Sequence, residues 1–197
     1  MYHHNSGGPD YLGMTIMGFC SQYEPSVMRE RVSQFVAAGD EVPTVAQVKT
    51  VAPFLALSDE AVSNFVAKRK PTGDGEPLAW YDILGDMNGH DLAVFMEGLN
   101  YWPEYNDFIH DSSCEWGYVI NLDTEKLEVY TGHYAARGYD NYPKVKVAGR
   151  YAEKYVDKDG SKKASGGTLI DEIPLSALRE LPEPLLRNYA TRINRQF

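Results

Sequence analysis

Apolar and polar residues alternate most clearly between Trp116 and Thr131. Trp116, Tyr118, Ile120 and Leu122 recur every second residue, which is the period of a half-buried strand. Asp123-Thr124-Glu125-Lys126 then supplies a polar connection of a common hairpin length. Leu127, Val129 and Thr131 resume the alternation. With Leu122 opposite Leu127, Ile120 meets Val129 and Tyr118 meets Thr131. The other face then pairs Asn121 with Glu128 and Val119 with Tyr130. One register serves both faces, so a hairpin over 116–131 is expected, with Trp116, Tyr118, Ile120 and Leu122 facing the core. Two strands alone are marginal, so other elements must cover it.

Upstream the period becomes helical. Asp10 is placed to cap a helix running to about Tyr23, with Leu12, Ile16, Phe19, Cys20 and Tyr23 on one face. Pro25 opens a second helix with Val27, Val32, Phe35 and Val36 as its apolar face and Gly39 at its end. Thr44 caps a third through Val51, before Pro53. Ser58-Asp59-Glu60 starts a fourth, with Lys68-Arg69-Lys70 at its favourable C-terminal end. Tyr2-His3-His4 is either a short first strand or an ordered terminus.

Pro71-Thr72-Gly73-Asp74-Gly75-Glu76-Pro77 is the best candidate boundary. Leu78–Leu84 is open between helix and strand, Asp91–Leu99 reads as a short helix, and Asn100–Asp107 as a loop or the lead into a strand. Beyond Gly132 the pattern predicts a loop over Tyr134–Tyr142 and a strand within Lys144–Tyr155. A turn at Asp157–Gly160 and a flexible polar run, Ser161–Gly167, follow. A strand at Thr168–Ile173, a helical turn after Pro174 and a basic helix at Leu185–Phe197 complete the chain. The expected fold class is α+β. An N-terminal helical section, 1–70, packs on an antiparallel sheet built around the central hairpin. Residues 71–197 hold an acidic segment, the sheet and the basic helix, either as a second section or continuous with the first.

Size and composition add little to this outline: 197 residues, 43% hydrophobic and 24% charged, are ordinary globular values. No run of eighteen apolar residues exists, and MYHHNSGGPDYLG lacks the basic and apolar parts of a signal peptide. A cytoplasmic location is expected, with Cys20 and Cys114 as reduced thiols in preference to a single disulfide.

Charge changes the picture. Residues 1–135 carry 7 Lys/Arg against 20 Asp/Glu, whereas residues 136–197 carry 12 against 8. No Lys or Arg occurs from Pro71 through Glu125, a stretch of 55 residues holding 12 acids. Such a block repels itself unless something compensates. It also contains Trp80, Tyr81, Phe95, Tyr101, Trp102, Tyr105 and Phe108, and disordered acidic tails are poor in aromatics. It is therefore expected to fold, and to offer carboxylates to a basic, nucleic-acid-binding surface in place of phosphates.

Other chemistry is less defined. His110-Asp111-Ser112-Ser113-Cys114-Glu115 places an imidazole near a thiol, but no protease signature surrounds it. His3, His4, His90-Asp91 and His110-Asp111 have no zinc-site spacing, and Asp82–Asn88 places apolar residues where calcium ligands would fall. No metal, cofactor or catalytic residue is assigned. Some of Trp80, Tyr101, Trp102, Tyr105 and Trp116 are expected to pack the hairpin, and any left exposed beside carboxylates suit interface anchors. Arg179, Arg187, Arg192 and Arg195 make the C-terminal segment basic, which allows head-to-tail self-association as a homodimer.

Tyr2, His4, Pro9, Gly13, Gly39-Asp40, and then Cys114-Glu115-Trp116, Tyr118, Ile120 and Leu122-Asp123 resemble a family of uncharacterised bacteriophage and mobile-element proteins. Its members combine a Tyr-x-His strand with a later Cys-Glu-Trp-x-Tyr-x-Ile-x-Leu-Asp hairpin. Ser6-Gly7-Gly8-Pro9 departs from the family's aromatic and acidic turn. The resemblance covers about half of the chain and implies a phage-type origin and an α+β fold, without an activity. Together with the acidic stretch it leads to an expected anti-defence inhibitor, anti-CRISPR-like or anti-restriction-like. Such a protein mimics DNA and occludes a host nucleic-acid-binding protein, without binding nucleic acid or membrane itself. The expected contact residues are Glu97, Glu104, Asp107, Asp111, Glu115, Asp123, Glu125, Tyr101 and Trp102. The alternative is a small metal-dependent hydrolase or modifying enzyme using acidic and His residues.

Overall fold

The computed structural model describes residues 8–39, 41–55, 57, 59–60, 62–63, 80–84, 92–103, 116–131, 153–156, 162–165 and 168–194. The fold is α+β, with N-terminal helices and an antiparallel three-stranded sheet. The chain divides into two compact units, Met1–Met28 with Asn106–Phe197, and Arg29–Tyr105.

In the first unit Pro9 starts a single π-helical turn, Pro9–Gly13, in which the Gly13 N–H donates to the Gly8 carbonyl at 3.2 Å. This corrects the expected Asp10 cap: Gly8 flanks the turn and no side chain caps it. Helix α1, Met14–Gln22, follows without a break. Leu12, Ile16 and Cys20 are buried, as their spacing requires, and Phe19 packs on Tyr23 with ring centroids 5.0 Å apart.

The sheet has the order β3-β4-β7, from Trp116–Asn121, Lys126–Thr131 and Thr168–Pro174, all antiparallel. The hairpin exists, but its register differs from the expected one by two residues. Ile120 opposes Leu127, Tyr118 opposes Val129 and Trp116 opposes Thr131. The connection is therefore Leu122–Glu125, and Leu122 sits in the turn. An even shift keeps every side chain on its intended face, so the apolar pattern cannot choose between the two registers. Asn121 chooses. Its Oδ1 accepts from the backbone N–H groups of Asp123, at 3.1 Å, and Thr124, at 3.2 Å, closing an Asx turn. Glu125 takes the left-handed conformation at φ 53° and returns the chain to β4.

A second correction concerns where the core lies. Trp116, Tyr118 and Ile120 are half-buried, whereas Leu127, Glu128, Val129, Tyr130 and Thr131 are all buried, on both faces of β4. Helices α6, Leu175–Glu180, and α7, Glu183–Asn194, follow β7. They bury Leu175 and Leu178, and Leu186, Ala190 and Ile193 at helical spacing. Helix α7 begins two residues earlier than the expected Leu185. Strands β5, Glu153–Val156, and β6, Lys162–Ser165, pair with each other, so part of the expected flexible run Ser161–Gly167 is a strand.

Helix α2, Pro25–Val32, runs from the first unit into the second and ends seven residues before Gly39. Val36–Ala38 instead forms β1, parallel to β2, Tyr101–Pro103. The Val36 N–H donates to the Asn100 carbonyl at 2.8 Å. Backbone pairing to a distant segment replaces the local helix, and Val27, Val32 and Val36 are exposed instead of forming an apolar face. Helix α3, Val45–Val51, has the expected Thr44 cap as a reciprocal capping box with Gln47. Trp80–Leu84 and Leu92–Glu97 are helices α4 and α5, so the described part of Leu78–Leu84 is helix.

Two glycines of the first helical segment test this packing. A Cβ on Gly13 would meet the Tyr118 hydroxyl at 3.1 Å and its ring at 3.2 Å, whereas nothing lies within 4 Å of one on Gly18. Gly13→Ala is expected to lower the unfolding free energy by about 1–3 kcal/mol through overpacking. Gly18→Ala in the interior of α1 is expected to raise it by about 0.5–1 kcal/mol. Urea unfolding of both variants checks the opposite signs.

Candidate functional site

Asp123 and Glu125 are exposed on the β3–β4 turn, so the hairpin tip carries two of the expected contact acids. Glu97 is exposed at the end of α5. Tyr101 and Trp102 alternate along β2 and are half-buried. Tyr101 stacks on the buried Trp80 with centroids 4.5 Å apart. Trp102 stacks on Phe35 at 5.8 Å and packs against Phe95 at 4.6 Å. Their alternation puts the two rings on opposite sides of the strand, each in its own aromatic group. Glu104, Asp107, Asp111 and Glu115 lie outside the described residues. The structure thus brings together Asp123 and Glu125 on one turn, and Tyr101 and Trp102 on one strand.

All five histidines and Cys114 also lie outside the described residues, and with them the His110–Cys114 pair. No group of three or more His, Cys, Asp or Glu suited to a metal ion occurs among the described residues. Cys20 is a free, buried thiol, and burial pushes its pKa up to about 12. It is protonated at neutral pH and packs as a small apolar side chain.

Two polar groupings occur in the first unit, and of these only the Asn121–Glu128 neighbourhood follows from the hairpin pattern. Glu128 is 4% exposed in the middle of the sheet. Its Oε1 accepts from Asn121 Nδ2 at 2.6 Å and its Oε2 from the Tyr130 hydroxyl at 2.6 Å. Asn121 therefore joins the buried carboxylate to the turn that displays Asp123. The spacing of Glu128 and Tyr130, two apart on one strand face, was the signal available in the sequence. The second grouping ties α7 to β7. The Tyr189 hydroxyl donates to Asp171, and Arg192 lies over the Tyr189 ring at 4.6 Å. Burial raises the Tyr189 pKa, the bond to Asp171 and its negative charge raise it further, and Arg192 acts in the opposite direction. Lys126 pairs with Glu172 at 3.2 Å across β4 and β7, partly exposed.

These bonds arrange backbone and charge; among the described residues they join no nucleophile to a base. Glu128→Ala is expected to cost about 1–3 kcal/mol for each buried donor it orphans, and Tyr130→Phe in the same background to recover part of that cost. A double-mutant cycle in urea measures both.

Alkaline pH gives a second check. The Cys20 thiol has a folded pKa raised above its usual value of 9.0. Its contribution is therefore intact below about pH 9 and declines as pH rises toward 12, because only the unfolded chain releases the proton. The slope approaches about 1.4 kcal/mol per pH unit, and Cys20→Ala removes that component from the stability profile between pH 8 and 11.

Comparison with models of known protein families, with curated proteins and with solved structures finds no match to the chain.

Proposed function

We propose that the chain is an accessory phage or mobile-element protein that acts in the cytoplasm of a host cell. It binds a basic, nucleic-acid-binding defence protein and blocks the surface that takes nucleic acid. The observation that carries this reading is the stretch Pro71–Glu125, with 12 acids, no Lys or Arg, and nine aromatics. Its described parts support it: Trp80–Leu84, Leu92–Glu97, Tyr101–Pro103 and Trp116–Asn121 are regular elements. Acids carried on regular elements and tight turns keep their spacing, as phosphates on a duplex do. The resemblance to bacteriophage proteins supplies a setting in which such an inhibitor is useful.

The mechanism is occlusion without turnover. Carboxylates at Glu97, Asp123 and Glu125, with Glu104, Asp107, Asp111 and Glu115, steer the chain toward Lys/Arg surfaces and raise the association rate. Tyr101 and Trp102 add apolar contact area. The field is effective over roughly 10 Å at 0.1 M salt and less at higher ionic strength.

The expected result is capture of a basic host protein from lysate at low salt, with release at high salt, and inhibition that saturates at a fixed molar ratio. The double variant Asp123→Lys, Glu125→Lys should weaken capture about tenfold or more while leaving the circular dichroism spectrum unchanged. Inhibition at far less than one equivalent, or capture indifferent to salt and to charge reversal, would refute occlusion.

A further inference from the structure

We propose that Arg31 anchors an oxyanion-binding site in the Arg29–Tyr105 unit, built to take a carboxylate or a phosphate group. This goes beyond the acidic-surface reading and does not rest on it. Arg31 lies in the last turn of α2 and is only 9% exposed. Its Nε donates to the Phe95 carbonyl, and its Nη1 donates to Gln34 Oε1 at 2.8 Å. Its Nη2 is buried and has no hydrogen-bond partner. The guanidinium carbon stands 5.6 Å from the centre of the Phe35 ring. Phe35 packs in turn on Phe95 at 5.4 Å and on Trp102 at 5.8 Å.

A buried guanidinium is ordinarily matched by an anion, because desolvating the charge is costly. Among the described residues Arg31 forms no ion pair, and both of its acceptors are neutral oxygens. The end of α2 and the last turn of α5, where the Phe95 carbonyl sits, supply partial negative charge but no full counter-ion. Nη1 and Nη2 form the end-on edge of the fork, the edge that holds a carboxylate or phosphate through two parallel bonds. Gln34 covers this edge with one oxygen and satisfies one of the two nitrogens. Its own side chain is exposed, so rotating it aside opens the fork without moving the backbone. An oxyanion replacing the amide oxygen satisfies Nη1 and Nη2 together, with charge-assisted bonds. The aromatic frame fixes the guanidinium plane beforehand. The net charge of −9 opposes anions at long range, so binding depends on contact with the fork and not on steering.

The test titrates the full chain with sodium acetate and, separately, with inorganic phosphate, at ionic strength held constant with sodium chloride. The Arg31 side-chain N–H resonance and the thermal midpoint are followed together. The expected result is a saturable shift of that resonance, and a Gln34→Ala variant that binds the same probe at least threefold tighter. Arg31→Lys keeps the charge, loses the fork and should lose the saturable rise in midpoint. Saturation with acetate alone assigns a carboxylate ligand, and stronger saturation with phosphate assigns a phosphoryl group. No saturable shift with either probe, in the wild type and in Gln34→Ala, overturns the site. So does a midpoint rise that Arg31→Lys retains in full. If Arg31→Lys does not fold, the resonance titrations of the wild type and Gln34→Ala decide alone, and equal affinity in those two overturns the displacement of Gln34.

Discussion

Strand β4 is the element on which the sheet depends. It is the middle strand, so both β3 and β7 take their register from it. Leu127 and Val129 are fully buried on one face, and Glu128 and Tyr130 are buried on the other. A strand buried on both faces cannot slip by one residue without bringing a carboxylate into the apolar layer. Glu128 therefore opposes a one-residue slip as well as acting as an acceptor. Its bonds to Asn121 and Tyr130 satisfy it within the sheet, and Asn121 also closes the turn. Core register and hairpin tip are set by one connected group of side chains.

What the sequence made legible follows from the range of the forces involved. The hairpin, the Thr44 cap, the Leu12–Ile16–Cys20 face and the β7 strand are all written in residues a few positions apart. Where the reading missed, the deciding contact was distant or had no hydrophobic signature. The two-residue shift in the hairpin is invisible to alternation and depends on a side-chain bond from Asn121. The strand Val36–Ala38 depends on Tyr101–Pro103, more than sixty residues away, and the helical spacing of Val32, Phe35 and Val36 pointed the other way. Of the expected contact residues, Asp123, Glu125 and Glu97 are exposed. Exposure was legible as polarity in a turn or at a helix end, whereas the stacking of Tyr101 and Trp102 was not.

Counting acids also merges roles that the structure separates among the described residues. Glu24, Glu128, Asp171, Glu172 and Glu183 accept hydrogen bonds from Arg179, from Asn121 and Tyr130, from Tyr189, from Lys126 and from Arg187 respectively. All five lie outside Pro71–Glu125. Glu128 and Asp171 join elements of the fold, and the three ion pairs are surface ones worth about 0–1 kcal/mol each. The cations of the C-terminal section are thus partly committed to acids outside the acidic stretch. A net charge or a pI carries none of this, because it gives a buried acceptor and an exposed carboxylate equal weight.

The same magnitudes explain how the described parts of a stretch without cations fold. Two like charges 10 Å apart in water repel by roughly 0.4 kcal/mol before screening, and salt reduces this further. Burying one large apolar side chain contributes about 1.5–3 kcal/mol. Trp80, Ile83, Leu84, Phe95 and Leu99 are buried within the stretch, and Trp80, Leu84 and Leu99 are almost wholly so. Several such side chains outweigh several screened repulsions, provided the carboxylates stay at the surface. Glu97 does so while Phe95, two residues before it on the same helix, is buried. Interspersing aromatic and apolar residues with acids thus lets the described parts of Trp80–Glu125 bury the former while acids stay exposed. Among the described residues Glu97, Asp123 and Glu125 are exposed, where water and salt keep their mutual repulsion weak enough for burial to win.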